Sequence, residues 1–127
     1  MIYGVGTDIV DIERIERSVE RHGDKFAERI LAPSELEAYQ KIKNKINHLA
    51  KRFAAKEAVS KALGTGMRNG IDFAQLVISN DDLGKPQVVL EGKAKAWSEK
   101  NKITKIHLSI SDEKKHAVAF AIAESHT

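Results

Sequence analysis

The sequence predicts a single domain of the α+β class, and three observations support this prediction. Segment 52–66 is rich in helix-forming residues and ends in glycines, whereas segments 2–10 and 105–123 alternate as strands do. The chain has 127 residues, close to the most common domain size. No linker composition or internal repeat divides it, so we expect one domain over 1–127.

Composition excludes several classes of function. The chain has no cysteine, which rules out disulfides, thiolate zinc sites and cysteine nucleophiles. Its first residues lack the basic and long apolar segments of a signal peptide, and no apolar run is long enough to span a membrane. We therefore expect a soluble, cytoplasmic protein without a membrane partner. The net charge of +3 is compatible with an acidic or phosphorylated partner, but is too small to indicate nucleic acid.

The first predicted strand, 2–10, has one face almost free of side chains. Strand alternation puts Gly4, Gly6 and Asp8 on that face, so the Asp8 carboxylate has room around it near the strand end. One interpretation is that Asp8 caps the following helix; the other is that it binds a ligand. The glycines do not form a dinucleotide-binding fingerprint, because the third glycine and its helix are missing.

A basic stripe runs along the first predicted helix, 11–21. Arg14, Arg17 and Arg21 recur at helical spacing beside an apolar stripe. Such a run is commonly a solvated face. The alternative is a docking surface for an acidic partner helix, where charges mainly raise the association rate.

The remaining elements follow from local punctuation and periodicity. Ser34 is the expected N-cap of the third helix. In order, we predict helices over 24–31, from 34 and from about 47, strands over 73–79 and 86–90, a helix over 92–101, and hairpin strands over 105–111 and 116–123.

The long helix carries the candidate catalytic groups. Phe53, Glu57 and Lys61 are spaced four residues apart and share one face. Taken alone, Glu57 and Lys61 are a surface ion pair worth a few tenths of a kcal/mol, on the order of 0.3. Gly64 is placed to stop the helix, and the turn through Gly66 lets the backbone approach a ligand closely.

A metal site is the second interpretation of these residues. Asp8 and Glu57 are two carboxylates on different elements, each beside small residues. Mg²⁺ suits them, because it takes one or two protein carboxylates and completes its shell with water and substrate phosphates. Lys61 adds a positive charge for a phosphate, with Arg52 and His107 as further contacts, although His107 can equally be a solvent-facing histidine on a polar strand face. The set suggests phosphoryl or pyrophosphate chemistry.

The chain resembles the holo-acyl-carrier-protein synthases, the short trimeric group of 4′-phosphopantetheinyl transferases. The resemblance covers nearly the whole length. It is carried by Gly4-Val5-Gly6-Thr7-Asp8-Ile9 with Arg14-Ile15, Arg52-Phe53-Ala54-Ala55-Lys56-Glu57-Ala58 with Lys61-Ala62-Leu63-Gly64-Thr65-Gly66, Gly84-Lys85-Pro86, and His107-Leu108-Ser109-Ile110-Ser111. It implies an α+β fold with an antiparallel-rich sheet packed on a long central helix, and a homotrimer with active sites between subunits.

The resemblance also implies a reaction. The 4′-phosphopantetheine arm of coenzyme A moves to a serine of apo-acyl carrier protein, in fatty acid biosynthesis, and adenosine 3′,5′-bisphosphate leaves. Asp8 and Glu57 match Mg²⁺ ligands, and Glu57 and Lys61 match catalytic groups. The implied coenzyme A contacts are Arg52, Lys61, Gly64, Gly66, Pro86 and His107, and the implied carrier-protein contacts are Arg14 and Arg21.

One position departs from the pattern of this family. Many members carry a histidine just after the Ser-Ile-Ser run, where this chain has Asp112. We expect Asp112 to change the local surface rather than the reaction.

Two other classes of function compete with the transferase. A small basic RNA-binding domain is disfavoured, because aromatic residues are only 6% of the chain and no exposed strand pair of aromatics is evident for base stacking. A structural trimer without catalysis remains open, since the apolar strand around Val118, Phe120 and Ile122 can form an interface.

Overall fold

The computed structural model describes residues 1–126 and confirms an α+β fold. Its elements are β1 (Ile2–Asp11), α1 (Ile12–His22), α2 (Asp24–Ile30), α3 (Pro33–Gln40), α4 (Lys45–Ala62), β2 (Leu76–Asn80), β3 (Pro86–Leu90), α5 (Gly92–Lys100), β4 (Ile103–Asp112) and β5 (His116–Ser125). The strands form two antiparallel sheets, one with the order β1-β5-β4 and the other made of β2 and β3.

Helix α4 lies against the three-stranded sheet at very short range. A Cβ atom added to Gly6 would overlap the carbonyl oxygen of Ala58, and one added to Gly4 would overlap that of Ala62. The small residues of both elements therefore form a close seam between β1 and α4, which we call the glycine seam (Gly4 and Gly6 with Ala58 and Ala62). The predicted bare face of the strand is the face that contacts the helix.

The hydrophobic core surrounds α4 on its other sides. Leu49, Val59 and Leu63 have no exposed surface, and they belong to one cluster of apolar side chains drawn from both sheets and all five helices. Phe53 packs between Phe26 and Phe73, with ring centroids 6.4 Å and 5.4 Å apart. Phe53 is thus a packing residue on the predicted face of the helix.

Several predicted boundaries differ from the structure by one to three residues, and three of these differences have a local physical cause. Helix α3 begins at Pro33 after Ala32, not after Ser34, because a proline is well suited to the first helical position. Helix α4 begins at Lys45, where the Asn44 side chain accepts the Asn47 N–H at 3.2 Å.

The third wrong boundary lies before β2. Residues Phe73–Gln75 form a 3₁₀ turn and the strand starts only at Leu76. The turn leaves the Phe73 ring stacked on Phe53, so aromatic packing overrides the strand pattern there. In residues 1–126 no helix has both the length and the apolar character needed to cross a membrane.

Candidate active site

Asp8 is not a helix cap in this structure. Helix α1 is capped by Asp11, whose side chain accepts the Glu13 N–H at 2.9 Å. Asp8 lies on the α4 side of β1 with a side chain that is 17% exposed. Its carboxylate is therefore held at the seam and remains available to a ligand.

Lys61 joins this carboxylate to helix α4. Its Nζ donates to the Thr7 carbonyl at 2.9 Å and to Asp8 Oδ1 at 3.3 Å. Glu57 lies one helical turn earlier on the same face. The structure thus brings together Asp8, Glu57 and Lys61, from residues separated by about fifty positions in the chain.

The two carboxyl groups are close enough to influence each other electrostatically. Burial raises the pKa of Glu57, and the Asp8 carboxylate raises it further, while Lys61 and Arg14 oppose the rise. Burial likewise raises the pKa of Asp8 against the effect of Lys61 and Arg14. Arg14, which the sequence placed only on a carrier-binding surface, therefore also contributes positive charge to this cluster.

The donor set fits a hard divalent cation. Two partly buried carboxylates from different elements are the protein ligands that Mg²⁺ commonly uses. Within residues 1–126, no cluster of three or more metal-ligating side chains is present. A cation held by Asp8 and Glu57 would therefore take its other ligands from water and substrate phosphate.

The glycine turn begins directly after α4. Gly64 and Gly66 have φ values of 83° and 60°, a region that favours glycine, and a Cβ at Gly66 would meet open space. The Gly66 N–H donates to the Ser60 carbonyl at 3.0 Å, and the Trp97 indole N–H donates to the Leu63 carbonyl at 2.9 Å. The turn is thus fixed by hydrogen bonds to α4 and α5, while the side of Gly66 where a Cβ would lie is open.

Pro86 and His107 line one cleft of about 490 Å³ between β3 and β4. His107 Nε2 lies 2.8 Å from Glu124 Oε1, and both side chains are on the sheet face that points away from α4. Asp8 lies on the opposite face. One chain therefore does not bring His107 together with Asp8.

Arg52 is largely buried, and its exposed edge lines a cleft of about 300 Å³ together with Pro86 and Asp112. Its guanidinium donates to Asn80 Oδ1 at 2.9 Å, and its Nε lies 3.9 Å from Glu35 Oε2. Burial lowers the pKa of Arg52, and the Glu35 carboxylate opposes that shift. The predicted contact with a nucleotide would have to involve the edge of this side chain.

A buried network lies beside Arg52 that the sequence pattern did not predict. Lys56 has no exposed surface and its Nζ contacts Glu35 Oε1. From the sequence, Lys56 is simply a good helix former. The available signal is its spacing of four residues from Arg52, which places both cations on the same side of the helix.

Two surfaces complete the description. Arg14 and Arg21 are exposed on α1 and line a shallow depression with Arg17, which pairs with Glu13 at 2.9 Å. The face of the three-stranded sheet that points away from α4 exposes several large apolar side chains: Tyr3, Val5, Ile9, Val118 and Phe120.

Comparison with known proteins identifies the class. The 4′-phosphopantetheinyl transferase superfamily matches residues 4–121 of this chain. The holo-acyl-carrier-protein synthase of Aliivibrio fischeri (strain MJ11) is 58% identical over 124 residues, which are 98% of each chain.

Solved structures agree with this similarity. The crystal structure of holo-acyl-carrier-protein synthase from Neisseria meningitidis has a TM-score of 0.94 at 46% identity, covering 98% of this chain and 100% of that one. The enzyme from Bacillus anthracis, in complex with coenzyme A (3′,5′-ADP), has a TM-score of 0.83 at 39% identity and 99% coverage of both chains. The chain therefore belongs to the 4′-phosphopantetheinyl transferase superfamily, in its holo-acyl-carrier-protein synthase group, and is an enzyme of the transferase class.

Proposed function

We propose that this chain transfers the 4′-phosphopantetheine group of coenzyme A to a serine hydroxyl of apo-acyl carrier protein, releasing adenosine 3′,5′-bisphosphate. The observation that carries the proposal is the cluster of Asp8, Glu57 and Lys61 at the contact of β1 with α4. The names of the relatives support the acceptor, and the coenzyme A complexes of the Bacillus anthracis and Helicobacter pylori enzymes support the donor.

In this proposal Asp8 and Glu57 hold Mg²⁺. When bound, the ion would supply a Lewis acid and a template for the pyrophosphate, and its charge would keep both carboxylates ionised. Glu57 accepts the proton of the attacking serine hydroxyl, either directly or through a bound water. The serine oxygen bonds to the phosphorus on the pantetheine side, the bridging P–O bond breaks, and Lys61 stabilises the charge on the departing phosphate.

Coenzyme A would contact two separate parts of the molecule. Lys61 and the turn at Gly64 and Gly66 serve the pyrophosphate, whereas the cleft at Pro86 and His107, with the edge of Arg52, serves the nucleotide end. His107 and Asp8 lie on opposite sheet faces of one chain. A homotrimer with sites between subunits would combine the two parts from different chains.

Two surfaces support the partners in this proposal. The exposed apolar side chains of β1 and β5, such as Val5 and Phe120, are suited to contact with other copies of the chain. Arg14 and Arg21 are exposed cations suited to an acidic carrier protein. We place the reaction in fatty acid biosynthesis in the cytoplasm, without nucleic acid or membrane as a partner.

The testing experiment mixes the protein with coenzyme A, Mg²⁺ and apo-acyl carrier protein, and then weighs the carrier. The carrier should gain one phosphopantetheine group, and EDTA should stop the gain. The Glu57→Gln variant should lower the transfer rate about 10³-fold, because it loses both the base and a charged ligand, while its circular dichroism stays native. Transfer at the wild-type rate by this variant would refute the role of Glu57, and an unchanged carrier mass with the wild type would refute the proposal.

A further inference from the structure

A fully buried ammonium group lies beside the proposed active site without taking part in it. Lys56 is 0% exposed, and its Nζ donates to the Ile30 carbonyl at 2.6 Å, to the Phe73 carbonyl at 3.0 Å and to the Glu35 carboxylate. An ammonium group has three hydrogens, so each of its donors has an acceptor. These acceptors lie on α2, on the 3₁₀ turn and on α3.

The partner carboxylate is equally occupied. Glu35 is 5% exposed and accepts the Ala32 N–H at 2.9 Å and the Ile78 N–H at 3.3 Å, with Arg52 Nε 3.9 Å away. Through Glu35, helix α4 is tied to the start of α3 and to β2. Five elements (α2, α3, α4, the 3₁₀ turn and β2) thus meet at one ion pair, on the side of α4 that faces away from the three-stranded sheet.

The other side of α4 restrains the helix differently. At the glycine seam, Ala58 and Ala62 lie against Gly4 and Gly6, which fixes how closely the elements approach but offers no interlocking side chains that resist rotation. The tie across this side is the partly exposed Lys61 side chain, which contacts Thr7 and Asp8. Lys56 precedes Glu57 directly, and neighbouring residues are about 100° apart around a helix. A small rotation of α4 therefore moves the Glu57 carboxylate relative to Asp8.

We infer that Lys56 and Glu35 form a positioning pair that sets the rotation of α4 and so holds the Glu57 carboxylate at the distance from Asp8 that a divalent cation requires. A buried ion pair commonly stabilises a fold no more than apolar residues of the same volume do, whereas its directional bonds specify one arrangement. The inference rests on the proposed function, in which Asp8 and Glu57 share the cation.

The test compares Lys56→Met, Glu35→Gln and the double variant with wild type, using Mn²⁺ as a paramagnetic substitute for Mg²⁺. Electron paramagnetic resonance gives the Kd of Mn²⁺, independently of turnover. We expect each single variant to raise that Kd about 10-fold and to lower kcat with little change in the KM for coenzyme A, because the metal ligands are misplaced while the substrate contacts remain. The double variant should be no worse than Lys56→Met, because the two residues act as one unit.

A matched control separates positioning from loss of stability. Ile103→Ala removes a buried side chain of β4, which makes no contact with the Lys56–Glu35 pair, and should lower Tm while leaving the Kd of Mn²⁺ unchanged. The inference fails if Lys56→Met lowers only Tm, if Ile103→Ala weakens Mn²⁺ binding equally, or if the effects of the two single variants add. If wild type transfers phosphopantetheine but binds no Mn²⁺, the metal assignment falls and this inference with it; if wild type binds Mn²⁺ but transfers nothing, only the proposed reaction falls.

Discussion

Toward β1, helix α4 presents Ala58 and Ala62, which meet Gly4 and Gly6; toward α3 it presents Lys56, which meets the Glu35 carboxylate. The first contact is close because Gly4 and Gly6 have no Cβ atoms, and an added Cβ would overlap a carbonyl oxygen of α4. The second contact is stable because the Lys56 ammonium group has an acceptor for each of its hydrogens. Glu57 and Lys61 lie between these two contacts, so the site depends on both.

This difference has a simple lesson for substitutions. The glycine seam cannot accept an added group. The side of α4 that carries Lys56 and faces Glu35, which we call the ionic side, cannot lose a group without leaving a buried partner unpaired. The two sides of α4 should therefore respond to opposite kinds of change.

The largest effect is expected from Gly6→Ala. The new Cβ would overlap the Ala58 carbonyl, so β1 and α4 must move apart. We expect a loss of about 3 kcal/mol or more, roughly 10 °C in Tm, together with loss of transfer, because Asp8 moves away from Glu57. Thermal unfolding followed by circular dichroism and the carrier mass assay measure both.

Gly23→Ala is the matched control for that variant. Its Cβ would meet open space, although its φ of 60° favours glycine. It should cost about 1–3 kcal/mol, because its φ of 60° and ψ of −143° are strained for alanine, but it should retain transfer. Loss of transfer from both substitutions would contradict the importance of the seam.

A middle-sized effect is expected on the ionic side in acid. Burial lowers the pKa of His48 to about 4, and the neighbouring cations Arg52 and Lys51 add to this. The unfolded chain, with an ordinary histidine pKa of 6.5, therefore binds more protons between about pH 6.5 and 4. Stability contributed by neutral His48 is complete above that window and is lost as the pH falls through it.

His48→Gln tests this, since glutamine carries no charge at either end of the window. Wild type should lose about 4 °C more in Tm than the variant does between pH 7 and pH 4.5. His22→Gln, at an exposed histidine of α1, should keep the wild-type profile. Parallel profiles of Tm against pH for wild type and His48→Gln would show that protonation of His48 does not cause the loss of stability in acid.

The smallest effect is expected from Asp112→His, at a residue that contacts α4 only in its first turn and touches neither the glycine seam nor the Lys56–Glu35 pair. Asp112 is exposed, and its Oδ2 accepts one hydrogen bond from the Asn47 side chain at 3.0 Å. We expect a change in Tm of about 2 °C or less and a transfer rate within about twofold of wild type. A tenfold loss in the mass assay would give Asp112 a role in the reaction that the surface hydrogen bond does not explain.

The contact face of β1 is a feature that the sequence predicts correctly. Period-two alternation put Gly4, Gly6 and Asp8 on one face, and the structure confirms that this face meets α4. Alternation is a local property of a strand, so it survives without knowledge of the rest of the fold. The spacing of Phe53, Glu57 and Lys61 was informative for the same reason.

The buried pair of Lys56 and Glu35 is a feature that the sequence pattern does not predict. A lysine in a helix is a good helix former and is usually solvated, and only the packing of three other elements makes this one buried. The separation of His107 from Asp8 was hidden too, because it depends on strand order and register rather than on either residue. The reaction was predicted from the resemblance without knowledge of the burial of Lys56 or of the separation between His107 and Asp8.

The order of strands in the sheet determines when β1 can pair during protein synthesis. Within residues 1–126, strand β1 is an edge strand that pairs with β5 alone: Ile2 pairs with Glu124 and Asp8 with Ala119. A nascent chain that has already made Asp8, Glu57 and Lys61 still has no strand to hold β1 until residues near 125 leave the ribosome. Folding must then close a loop of more than one hundred residues between Asp8 and Ala119, which favours slow formation of the sheet. The Asp8 site therefore reaches its final geometry only after β5 has been synthesised.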